Sequence, residues 1–173
     1  MAVFILKGGN QWYLIKMLAL NNTAIKLLFL TEQNLYIPDL TAIVWSNLDY
    51  LGWIHPSGTL GYVVFESPVD GRLRGVKLTR TRGSESGRVR MEMCSWCHYV
   101  HRAQGTAFFM IEVKGSDGRR KLGNPICKDL DCSYRVRGPW SSTSLMSEDL
   151  YQPARIWRMK LAMHRWLGKA NQI

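Results

Sequence analysis

No uninterrupted apolar run in this chain reaches the roughly 20 residues that a membrane-spanning helix needs. The apolar patches between Met1 and Leu30 are broken by Lys7-Gly8-Gly9-Asn10, by Lys16, by Asn21-Asn22 and by Lys26. No small-residue cleavage site follows a clean apolar core, so no secretory signal is read there. These absences predict a soluble, cytoplasmic protein with no membrane partner. Acid is scarce as well: 13 Asp and Glu stand against 23 Lys and Arg, a formal charge of +10. Such a balance favours an acidic partner, RNA or protein, without choosing between them.

Catalytic signatures are missing too. There is no Gly-rich phosphate loop, no H-E-x-x-H, no G-x-S-x-G and no carboxylate pair with a plausible partner. The expectation is a protein that is not an enzyme and takes no small-molecule substrate. Disorder is also excluded: 46% of the 173 residues are hydrophobic and 21% charged, which is globular composition.

Cysteine is rare, and its placement is what the sequence says most clearly. The four residues fall as two close pairs, Cys94-Ser95-Trp96-Cys97 and Cys127-Lys128-Asp129-Leu130-Asp131-Cys132. Each pair can sit on a tight local turn, and two such turns can wrap one tetrahedral ion. Disulfides would need an oxidising compartment, and a redox C-x-x-C would leave Cys127 and Cys132 unexplained. The pattern therefore predicts one structural Zn²⁺ held by Cys94, Cys97, Cys127 and Cys132. Four thiolates leave no open position for a substrate. They also leave a site charge of about −2, which Arg90, Lys128, Arg135 and Arg137 could offset. His98 and His101 are read as surface residues or as supports behind the ligands, and His55 and His164 as ordinary polar side chains.

The remaining elements follow from periodicity and punctuation. Asn22 or Thr23 can cap a helix from Ala24 to about Asn34, stopped by Pro38. Residues 39–50 read as a second short helix or an apolar loop, and Gly52 to Gly58 as a turn. Leu60–Glu66 and Arg72–Thr79 read as strands joined by Pro68-Val69-Asp70-Gly71, with a bulge at Gly75 where the alternation slips. Residues 81–87 make a loop. Thr106–Val113 reads as a buried strand, turned at 115–118, with 119–126 returning toward the second cysteine pair. Ser133–Arg137 forms a short helix before Gly138-Pro139. At the C-terminus Ser147 offers an N-cap for a helix whose regular part runs from Gln152 to Leu167. Its apolar stripe is Ile156, Met159, Met163, Trp166 and Leu167.

The fold class is thus α+β: a short N-terminal helical segment and β-hairpin, a treble-clef-like four-cysteine zinc lobe, and a C-terminal amphipathic helix. The lobes divide as residues 1–85, 86–140 and 141–173. Between Arg72 and Arg90 seven basic residues face one acid, and the C-terminal helix carries Arg155, Arg158, Lys160, Arg165 and Lys169. Both are candidate docking surfaces. Trp96, inside the first cysteine turn, and Trp140 are expected as exposed anchors, whereas Trp157 and Trp166 are expected in the core.

Three stretches together carry a resemblance. Trp45-Ser-Asn-Leu-Asp-Tyr-Leu-Gly-Trp53, Met93-Cys-Ser-Trp-Cys97 and Cys127-Lys-Asp-Leu-Asp-Cys-Ser-Tyr-Arg-Val-Arg-Gly138 resemble the FBP-type treble-clef zinc proteins. These are the elongation-factor-G-binding proteins related to the FusB-type fusidic acid resistance factors of bacteria. The likeness runs from about Thr23 to Gly138 and more loosely to the C-terminus; residues 1–20 lie outside it. It implies that the four cysteines bind zinc in a treble clef and that the partner is elongation factor G or the translating ribosome. Candidate partner-binding residues are Arg135, Arg137, Trp140, Arg155, Arg158, Lys160 and Arg165. The competing reading is a zinc module that binds rRNA or other RNA directly through its basic surface.

Overall fold

The computed structural model describes residues 17–81, 91–102, 104–138 and 148–173. Five strands form one antiparallel sheet in the order β1-β2-β3-β6-β7: β1 Tyr50–Ile54, β2 Leu60–Glu66, β3 Leu73–Thr81, β6 Thr106–Glu112 and β7 Lys121–Cys127. Two short strands, β4 Glu92–Met93 and β5 Val100–His101, pair separately and carry the first cysteine turn between them. Helix α1 spans Asn22–Leu28, α2 Cys132–Arg135 and α3 Gln152–Lys169.

The expected hairpin is present, with Glu66 opposite Leu73 and Leu60 opposite Thr79. Gly75 is not a bulge, since Val64 pairs with it in unbroken register. Its role is clearance: a Cβ there would lie 2.7 Å from the Phe29 ring, so only glycine lets that ring rest on β3. Two further expectations need correcting. The α1 helix ends at Leu28, six residues short of Asn34, with the side chain of Asn21 as its cap. The stretch read as a turn from Gly52 is strand up to Ile54, and the turn is confined to His55–Gly58. The loop at 81–87 and the Ser147 cap fall almost wholly or wholly outside the described residues. Strands from either side of that loop, β3 and β6, pair directly through Thr79–Met110 and Thr81–Phe108.

Alternation along the strands gives the sheet two different faces. On one, Val63, Phe65, Val76, Leu78, Phe109, Ile111 and Ile126 are buried beneath Met159, Met163, Trp166 and Leu167 of α3. The apolar stripe of α3 thus packs as expected. On the other face, Tyr62 and Val64 are buried with Ile25, Phe29 and Leu48, around a stacked Trp53–Tyr62 pair at 5.3 Å. Among the described residues this second core reaches across β1 to β3.

Candidate metal centre

The first cysteine turn is a tight reversal fixed by its own backbone. Cys94 N–H donates to Tyr99 O at 3.0 Å, His98 N–H donates to Cys94 O at 2.9 Å, and Trp96 N–H points at Cys94 Sγ at 3.4 Å. His98 closes the turn with a left-handed φ of 60°. Cys127 ends β7, and Cys132 opens α2, with Leu130 at φ 56° turning the chain between them. Ser95 N–H donates to Pro125 O at 2.8 Å, so the first turn is bonded directly to the strand that delivers the second pair.

All four sulfurs lie within 4.8 Å of one another and all four residues are fully buried. Cys94 and Cys132 sulfurs are 3.6 Å apart, and those of Cys97 and Cys127 3.5 Å. A disulfide needs about 2.05 Å, so these are not bonded pairs. Four thiolates about 2.3 Å from a central tetrahedral ion would be roughly 3.8 Å apart. The donor set fits one zinc ion. The electrostatics suit a cation as well. Cys94 is held well below the usual thiol range despite its burial, because the other cysteines donate hydrogen bonds to it. Cys132 is pushed well above that range by burial and by its thiol neighbours. Four buried thiols cannot all ionise side by side without metal, and Zn²⁺ allows it.

Supports surround the ligands. His101 Nε2 lies 3.4 Å from Cys127 Sγ, and burial together with Arg135 keeps the imidazole pKa below its ordinary value. A neutral imidazole there can donate its N–H to the sulfur. Arg135 bonds Asp131 at 2.7 Å and stacks 5.0 Å over the Tyr99 ring. Trp96 is fully buried, edge-on to Tyr50 at 5.5 Å and to Trp166 at 5.7 Å. It bolts the cysteine turn to the core and is not the exposed anchor expected of it. Trp157 reverses its expectation too: it lies one residue off the buried stripe and is 43% exposed.

The candidate partner-binding cations divide sharply. Arg137 grips the fully buried carboxylate of Asp49 with both Nη atoms, one of them at 3.1 Å, and also donates to Ser133 O at 2.9 Å. Lys160 reaches the same carboxylate at 3.6 Å, and Ser133 Oγ accepts from Asp49 N–H at 3.1 Å. Asp49 thereby joins the first and third of the resembling stretches to α3. Its role is invisible in sequence, since its partners lie 84 and more residues away. Arg158 pairs with Glu148 and reaches Cys97 O at 3.4 Å. Arg155 is half-buried beside it, Arg165 is exposed, and Trp140 lies outside the described residues. In the hairpin, Arg74 pairs with Asp70 at 2.8 Å and Lys77 with Glu32. Most of these charges are thus held by acids of the same chain.

A turn of two cysteines, strands, and a second pair at the start of a helix make up a treble clef. The family model for the FBP C-terminal treble-clef zinc-finger matches residues 30–169. Among solved structures, the fusidic acid resistance protein FusC is similar, with a TM-score of 0.61 at 18% identity. That match covers 90% of this chain and 60% of the FusC chain, so this chain spans less than two thirds of FusC. At such identity the likeness is one of fold. No curated protein matches the chain. The zinc site and the family match agree along most of its length, and the chain belongs to the FBP C-terminal treble-clef zinc-finger family.

Proposed function

We propose that this protein is a docking module, not an enzyme, and that it binds elongation factor G on or near the translating ribosome. The observation that carries this reading is the closed centre: four buried thiolates complete the zinc shell and leave no position for chemistry. The metal then serves as a strut for a surface. The family match and the fold shared with a protein titled for fusidic acid resistance support elongation factor G as the partner. The net charge of +10 suits an acidic protein surface.

Direct RNA binding is the second reading, favoured by the same charge. A pull-down with purified elongation factor G, after nuclease treatment and at moderate salt, separates the two. One-to-one binding that survives nuclease is expected. Loss of the factor on nuclease treatment, with RNA retained by the untreated protein, would sink the first reading and install the second.

A further inference from the structure

Among the described residues the second core stops at β3, and beyond it the same face of the sheet carries no packed layer. Strands β3, β6 and β7 there present Thr79, Met110 and Gly123 in one row, and Thr81, Phe108 and Pro125 in the next. Phe108 is 46% exposed, an unusual place for a large ring in mid-strand. The ring is nevertheless fixed. It lies across β7 over Gly123, where a Cβ would come within 2.3 Å of it, so glycine is what lets it lie down. Thr81 Oγ1 donates to Phe108 O at 3.0 Å and ties the residue to β3. A pinned aromatic side chain loses little conformational freedom on association, which is what an interface anchor requires.

Charge says what should cover it. Among the described residues, most of the cations expected to meet a partner are bound to Asp49, Asp70, Asp131, Glu32 or Glu148. At the β6–β7 turn, by contrast, Lys114, Arg119, Arg120 and Lys121 are all exposed. None of the four enters an ion pair among the described residues. Only Glu112 and Asp117 oppose them locally. An apolar strip thus runs into a cationic end. Between the rows themselves there is one ring and no cation, which suits an apolar protein contact better than a phosphate backbone.

We infer that this bare half-sheet, anchored on Phe108, is the surface that docks an acidic protein partner through an apolar contact flanked by carboxylates. The inference rests on the reading that the partner is elongation factor G. Calorimetric titration of nuclease-treated, zinc-loaded protein with elongation factor G tests it. Phe108→Ala is expected to weaken binding roughly 10- to 100-fold, with zinc content and thermal midpoint kept. Charge reversal of Arg119, Arg120 and Lys121 to Glu should weaken binding most at low salt. Val69→Ala, another exposed apolar residue, on the β2–β3 turn at the opposite end of β3 from Phe108, should bind like the parent chain. Parent-like affinity for Phe108→Ala would overturn the assignment while leaving the partner standing. No binding by the parent chain would overturn both. Phe108-dependent binding of RNA in place of the factor would overturn the protein assignment in favour of nucleic acid.

Discussion

Asp49 shows how much one buried carboxylate can organise. It holds Arg137 from the end of the zinc-bearing segment and Lys160 from α3, far from water. Its removal would take the shared carboxylate from a half-buried Arg137 and a buried Lys160, so Asp49→Ala should cost about 3–5 kcal/mol; chemical denaturation of parent and variant checks it. A second residue-level prediction concerns His164 of α3, buried against Phe65 of β2. Burial, and then the charge of Lys160, push its pKa down to about 4 from 6.5, with Asp49 opposing. The folded state therefore favours the neutral ring, and between these values the unfolded chain binds more protons. Stability should fall as pH drops from about 6.5 toward 4, by about 2 kcal/mol at pH 5. Urea midpoints at pH 7.5 and pH 5 should show that slope, and His164→Gln should flatten it.

At the scale of elements, what is local in cause was legible in sequence. The hairpin followed from alternation and a Pro-Val-Asp-Gly turn, and α3 from its stripe, which runs two residues past the expected end to Lys169. Strand β1 was missed because Gly52 and Trp53 look like turn chemistry; its strand character comes from pairing with β2, through Gly52–Val63. Trp96 was misjudged because a tight cysteine turn looks exposed until a helix packs on it, and α3 lies some 60 positions away in sequence. The Asp49 network was hidden for the same reason. Gly52 has a packing role that also escapes local reading. A Cβ there would meet Leu130 Cβ at 2.7 Å and Leu130 O at 2.9 Å, at the loop between the second cysteine pair. Gly52→Ala should therefore prise β1 from that loop and destabilise the protein by about 1–3 kcal/mol. Unchanged thermal stability in that variant would contradict the packing described.

For the whole molecule, the zinc ligands were the part most plainly written in the chain, because ligand spacing is a short-range requirement that needs no tertiary context. The docking surface was the least legible, because it depends on which cations the fold neutralises and which it leaves bare. The two are linked: the centre joins β4 and β5, the end of β7 and α2, so the sheet bearing the bare face depends on the metal. Chelation should accordingly unfold more than the cysteine turns, as should Cys127→Ala. A zinc closed by four thiolates is a strut and not a reaction centre. X-ray absorption at the zinc edge of the purified protein tests that closure most directly. One zinc per chain is expected, with four sulfurs at about 2.3 Å and no lighter ligand. A nitrogen or oxygen ligand in the first shell, or a vacant position, would contradict it and reopen the question of chemistry at the metal.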